Sequence, residues 1–174
     1  MSLPLLLTLA LTGAARADDF KLEPGFTRLD NGKDLEGWTG NLTGWSVIDG
    51  AIHLDVKKAR SNIYSKVVPS KNCVIRMQFK ATKGADSGVF IYGHQLQVRD
   101  YPNAGPKQYA KPAKPHGEWN DLEFDITKGQ AVVKLNGKVI EKSWEIGKES
   151  NKGLGLQHEI GDVEFRHLQM KDKK

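Results

Sequence analysis

The chain is poor in the residues that common catalytic signatures need. A single cysteine, Cys73, stands among 174 residues, which excludes an internal disulfide and a cysteine-rich zinc site. It sits in an alternating apolar run and reads as a buried structural thiol. No Gly-x-Ser-x-Gly elbow precedes a helix, so a serine nucleophile of the α/β-hydrolase kind is excluded. No glycine-rich loop is followed by Lys-Ser/Thr or opens a helix within a βαβ unit, which argues against nucleotide chemistry. The five histidines, His53, His94, His116, His158 and His167, stand singly, so the sequence holds no local metal motif. No stretch shows three turns of amphipathic helix. Acidic and basic residues are interspersed rather than blocked, and a formal charge of +5 gives no nucleic-acid signature.

The one apolar run, Met1 to Ala17 (MSLPLLLTLALTGAARA), is too short to span a bilayer. Ala15 and Ala17 occupy the minus-three and minus-one positions of a cleavage site, so residues 1–17 read as a secretory signal peptide. Removal near Ala17 takes Arg16 with it and leaves a charge of +4. Residues 18–174 then read as one domain, exported to the periplasm or beyond, monomeric and without a membrane span.

What is present is strand. Cys73 to Ala81 alternates strictly, with Cys73, Ile75, Met77, Phe79 and Ala81 on one face and Val74, Arg76, Gln78 and Lys80 on the other. Asp49-Gly50 joins Trp45–Ile48 to Ala51–Leu54, and Asn136-Gly137 joins 131–135 to 138–140; both dipeptides favour the turn that matches strand twist in a hairpin. Leu122, Phe124 and Ile126 alternate again, and 153–158 and 163–170 complete the set. Many short strands with tight turns predict an all-β fold, a two-sheet antiparallel sandwich of jelly-roll or Greek-key type. Between Asp100 and Trp119 lies a loop carrying four of the seven prolines, and long loops of this kind are often functional.

The chemical signal lies in Ala85 to Asp100, ADSGVFIYGHQLQVRD. Residues two apart share a strand face, so Gln95, Gln97 and Arg99 point one way and Leu96 and Val98 the other. Amides and a guanidinium in a row suit a hydroxyl-rich ligand, while a solvated outer face is the plain alternative. An amide cannot ionise, so the paired carboxylates of ordinary retaining glycoside hydrolysis, roughly 5 Å apart, are not offered here.

Seven segments in order resemble the 3-keto-disaccharide hydrolase domain family: GFTRLDNGKDLEGW (Gly25 to Trp38), WSVIDGAI (Trp45 to Ile52), ADSGVFIYG (Ala85 to Gly93), LQVRD (Leu96 to Asp100), HGEWNDLEF (His116 to Phe124), LNGKVI (Leu135 to Ile140) and GLGLQHEIGDVEFRHLQM (Gly153 to Met170). The resemblance implies a concanavalin A-like jelly roll, export to the bacterial envelope and, in some members, cleavage of sugars already oxidised at C3. A C3 ketone acidifies the C2 hydrogen, so the glycosidic group can leave by proton abstraction and elimination, followed by hydration. A base and an enolate stabiliser suffice.

By that resemblance Gln97 and Asp100 match a strand motif ending in Gln-x-x-Asp, and Gln157 and Arg166 match the C-terminal Leu-Gln and Glu-Phe-Arg pieces. The sugar is then expected among Gln95, Gln97, Gln157 and Arg166, with Tyr109 and Trp119 beside it. His158 or Asp100 is the candidate base, and Arg99 or a bound divalent cation the partner of the enolate. Two positions depart from many relatives: Asp86-Ser87-Gly88 is followed by Tyr92-Gly93 in place of Asn-Ser-Gly and Arg-Gly, and Gln95 stands where a Glu is common. Asp86 or Glu159 could supply the missing carboxylate. The alternative function is a non-catalytic carbohydrate-binding module in which Tyr92, Tyr101 and Tyr109 hold the glycan. A third reading, an envelope scaffold, rests only on the lysines of Lys107 to Lys114.

Overall fold

The computed structural model describes residues 20–55, 57–58, 61–149 and 151–174; the signal-peptide expectation for residues 1–17 lies outside the described residues. In chain order the strands are β1 (Thr27–Arg28), β2 (Trp38–Gly40), β3 (Trp45–Ile48), β4 (Ala51–Leu54), β5 (Ile63–Ser65), β6 (Cys73–Ala81), β7 (Asp86–Ile91) and β8 (His94–Arg99). A one-turn helix, α1 (Lys107–Ala110), follows, then β9 (Asn120–Thr127), β10 (Gln130–Leu135), β11 (Lys138–Glu145), β12 (Gly155–Leu156) and β13 (Val163–Asp172). The expected two-sheet antiparallel sandwich is the observed fold. Among the described residues no helix is long and apolar enough to cross a membrane.

One sheet has eight strands in the order β11-β10-β9-β6-β13-β4-β3, with β1 also paired to β13. The other has five, β2-β5-β12-β7-β8. The alternation seen in the sequence sets which face turns inward. Cys73, Ile75, Met77, Phe79 and Ala81 are buried from the larger sheet, and Val89, Ile91, Leu96 and Val98 from the smaller. They meet in one continuous core with Leu122, Phe124, Ile126, Leu156 and Phe165. Each large apolar side chain sealed there contributes about 1.5–3 kcal/mol.

The hairpin turns follow from backbone chemistry. Asp49-Gly50 and Asn136-Gly137 adopt positive φ at both positions (49° and 80°; 48° and 77°), as a two-residue turn of matching twist requires. Tyr92-Gly93 and Lys128-Gly129 do the same (53° and 83°; 49° and 83°) with no Asn or Asp to announce them. At Tyr92 the unusual backbone is anchored by its ring: the hydroxyl donates to the Pro69 carbonyl and the side chain is buried.

Candidate site on the outer face of the five-stranded sheet

The strands β5, β12, β7 and β8 run side by side, so their outward residues form rows across the sheet. The first row is Tyr64, Gly155, Phe90 and Gln95, set by direct pairing of Gly155 with Tyr64 and Phe90 and of Phe90 with Gln95. The second holds Gln157, whose N–H donates to the Gly88 carbonyl at 2.9 Å, then Gly88 and Gln97, which pair directly. The third pairs Asp86 with Arg99 across β7 and β8, and the Asp86 backbone with Ile160. Successive rows stand about 6.6–6.8 Å apart along the strands. The face therefore grades from aromatic, through amide, to charged.

Glycine makes the middle of this face flat. A Cβ on Gly88 would lie 2.3 Å from Gln95 Nε2 and 2.7 Å from Gln95 Cγ, so the absent side chain is the space in which the Gln95 amide lies. A Cβ on Gly155 would meet Tyr64 Cε1 at 2.7 Å and Phe90 Cβ at 3.0 Å. Gln95 Nε2 donates to Gln157 Oε1. That bond leaves the Gln95 carbonyl oxygen as an acceptor and the Gln157 amide hydrogens as donors, with the exposed Gln97 amide beside them. In the charged row the Arg99 guanidinium grips Asp86 in a fork, Nε to Oδ1 at 3.2 Å and Nη2 to Oδ2. Around the aromatic row, Tyr64 and Phe90 have ring centroids 6.4 Å apart, and Lys152 Nζ lies 5.4 Å from the Tyr64 centroid while pairing with Glu149.

The structure thus brings together Gln95, Gln97, Gln157 and Arg99. The other expected site residues lie elsewhere. Asp100 is 2% exposed, and its Oδ2 accepts from Gly84 N at 3.0 Å and Asn103 Nδ2 at 2.8 Å, tying together the turns that flank the charged row. His158 is 4% exposed, edge-on to Trp45 with centroids 6.0 Å apart. Neither presents its side chain on the outer surface. Arg166 and Trp119 lie on the opposite side of the sandwich: Arg166 Nε donates to Gln78 at 2.8 Å, and its guanidinium stacks 4.0 Å from the Trp119 ring centroid.

Tyr109 is buried, edge-on to Tyr101 at 5.3 Å, with its hydroxyl donating to Glu141. Burial first, and then the Glu141 carboxylate, push its ionisation well up. Tyr101 is buried as well and donates to the Gln97 carbonyl. The expectation that Tyr92, Tyr101 and Tyr109 are exposed glycan contacts is therefore corrected: their hydroxyls find internal partners, which lets the rings enter the core. The aromatics on the amide face are instead Tyr64 and Phe90. Parity could have found them, because Phe90 is two residues from Gly88, and Gly155 two from Gln157.

Among the described residues no three His, Cys, Asp or Glu side chains converge as a metal site. Glu159 lies half-buried in a bulge where Gln157 to Ile160 run against Gly88 to Asp86.

A family model described as a 3-keto-alpha-glucoside-1,2-lyase-like domain matches residues 25–171. Among solved structures, the chain is similar to a protein of Parabacteroides distasonis provisionally described as a glycosyl hydrolase, with 22% identity, a TM-score of 0.69, and 86% of this chain and 95% of that one covered. It is also similar to the carbohydrate-binding module CBM66 of Bacillus subtilis, with 12% identity, a TM-score of 0.58, and 80% and 98% covered. A third is the lumenal domain of VIP36 in its Ca2+/Man3GlcNAc-bound form, with 8% identity, a TM-score of 0.53, and 86% and 89% covered. At these identities the structures show a shared fold. No curated protein matches the chain.

Proposed function

The chain belongs to the 3-keto-alpha-glucoside-1,2-lyase-like domain family, and from that premise we propose that it is an exported enzyme that cleaves 3-keto-glycosides on the outer face of its five-stranded sheet. The observation that carries this reading is the convergence of the Gln95, Gln97 and Gln157 amides, over Gly88, on the Asp86–Arg99 pair. Amides in a row satisfy ring hydroxyls, and the fork beside them supplies charge where an enolate forms.

In this mechanism a carboxylate takes the C2 proton, and the electron pair of the C2–H bond becomes the enolate of the C3 ketone. The enolate collapses to a C1–C2 double bond, and the C1–O bond breaks with its pair leaving on the aglycone oxygen. Water then adds, hydroxide to C1 and a proton to C2. Arg99 faces the enolate oxygen, and Asp86 fixes the guanidinium by its two contacts. Glu159, half-buried in the bulge between Gln157 and Ile160 beside the amide and charged rows, is the base. Asp100 serves from behind the surface, holding the turns that flank the charged row, and His158 packs edge-on to Trp45 beneath Gln157.

One observation favours the alternative of a binding module: the carboxylate placed squarely on the face, Asp86, is already neutralised by Arg99. The experiment is product release from 3-keto-disaccharides against their unoxidised parents. Release from the keto sugars alone, abolished in Glu159→Gln, supports the enzyme. Binding of both classes with no release contradicts it in favour of the module.

A further inference from the structure

The three rows differ in chemistry along one direction, and this orients a bound glycoside. Resting on the lyase reading, we propose that the keto ring lies at the Asp86–Arg99 end, the scissile bond crosses the amide row above Gly88, and the leaving group sits on Tyr64 and Phe90. The leaving-group site selects an aromatic aglycone. The rows stand about 6.6–6.8 Å apart, so a sugar ring over the charged row puts its C1 oxygen near the amides and its aglycone at the aromatic row.

Two observations specify the aglycone. The first is packing: Gly155 removes a Cβ that would meet the Tyr64 ring at 2.7 Å and the Phe90 Cβ at 3.0 Å, which lets the Tyr64 ring lie across the strand beside Phe90. The half-buried Tyr64 and Phe90, tilted by 43°, form an apolar ledge bordered by Lys152. The second is proton balance. When the C1–O bond breaks, the aglycone oxygen carries off the electron pair. Beside it lie the Gln97 and Gln157 amides of the middle row and the Gln95 amide that reaches over Gly88, which donate hydrogen bonds but no proton, while Lys152 at the Tyr64 ring is held by Glu149. The carboxylates of the charged row are one row further away. A phenol ionises near about 10 and departs as a stable anion, whereas an aliphatic alcohol is a far weaker acid and gains much more from protonation as it leaves. Amides suffice for the first and serve the second less well, so disaccharides are cleaved but aryl glycosides are preferred.

The test compares phenyl 3-keto-glucoside, methyl 3-keto-glucoside and a 3-keto-disaccharide, each kcat/KM divided by the uncatalysed release rate to remove intrinsic leaving-group reactivity. The expected result is a preference for the phenyl substrate of about tenfold, the scale of one aromatic contact, and its collapse in Tyr64→Ala. Equal corrected rates in the unaltered protein, or a Tyr64→Ala loss shared alike by all three, would overturn the assignment. Because Tyr64→Ala removes a packed ring, wild-type titration with unoxidised phenyl and methyl glucosides gives a second reading. If no keto-glycoside is cleaved, the lyase reading fails by itself. Tighter phenyl binding then keeps the aromatic subsite, and equal binding removes it.

Discussion

The two outer faces of the sandwich are built from the same alternation and end in opposite states. On the eight-stranded sheet a belt of outward polar groups is paired across neighbouring strands or with the segment before β1. Arg76 Nε meets Glu123 at 2.7 Å and its Nη1 meets Glu23 at 2.5 Å; Lys134 meets Glu123 at 2.7 Å, Lys80 meets Glu164 at 2.9 Å, and Gln78 bonds Asp121 at 2.8 Å. On the five-stranded sheet, glycines replace side chains at Gly88 and Gly155, and the amides keep unsatisfied hydrogen-bonding capacity. A groove of about 530 Å³ lies on the first face, lined by residues including Phe20, Arg76, Gln78, Glu123, His167 and Gln169. Concavity and binding chemistry are thus on different sides. A saturated ion-pair lattice offers a ligand little, because each contact must first break an existing one. A shallow amide face suits a ring whose hydroxyls point outward in several directions.

The largest effect should come from the charged row. Arg99→Ala is expected to lower kcat on 3-keto-disaccharides by about 10²-fold, the scale of losing one preorganised donor to a developing oxyanion. Steady-state rates check it, and a change confined to KM would show that Arg99 only binds. Next comes the amide row. Gly88→Ala forces the Gln95 amide out of the space it occupies, and should weaken sugar affinity about tenfold at a stability cost of about 1–3 kcal/mol. Calorimetric titration and thermal unfolding separate the two.

The opposite face should answer to acid rather than to sugar. Burial works against ionisation of Glu123, but hydrogen bonds from Lys134 and Arg76 outweigh it and hold the carboxylate below its ordinary 4.5. A group whose folded value is lowered stabilises the fold above 4.5 and loses that contribution as pH falls through the folded value. Glu123→Gln should flatten the decline in unfolding free energy below pH 4.5 by up to about 1 kcal/mol, discounted for partial exposure, while sugar titration is unaltered. Smallest of all is Arg166→Ala. Trp119 and Gln78 lose a neighbour, and turnover changes by less than about twofold; a large loss would return Arg166 to the sugar site and break the distinction between the faces.

Much of this was legible in the chain because period and turn chemistry are local. The strict alternation of Cys73 to Ala81 named its buried face, and Asp49-Gly50 and Asn136-Gly137 named their turns. The grouping of Gln95, Gln97 and Arg99 followed from strand parity alone. What the chain could not say is which side of a sandwich each strand faces. Arg166 has the same parity logic as Gln97, yet β13 lies in the larger sheet between β6 and β4. That is a long-range pairing with no local mark. The tyrosines misled for a related reason: an aromatic in a loop reads as exposed until a partner such as Glu141 or the Gln97 carbonyl allows its hydroxyl to be buried. Asp100 and His158 carry catalytic chemistry in their side chains, but both are buried: Asp100 bonds the turns at Gly84 and Asn103, and His158 packs against Trp45.

The central claim is that the ligand lies on the five-stranded sheet, and titration with a 3-keto-disaccharide, followed by NMR of side-chain and backbone amides, tests it most directly. The account predicts that the Gln95, Gln97 and Gln157 side-chain amides and the Gly88 and Gly155 backbone amides move, while those of Gln78 and Gln169 stay. Shifts concentrated at Gln78, Gln169 and Arg76, with the three glutamines of the smaller sheet unmoved, would contradict it.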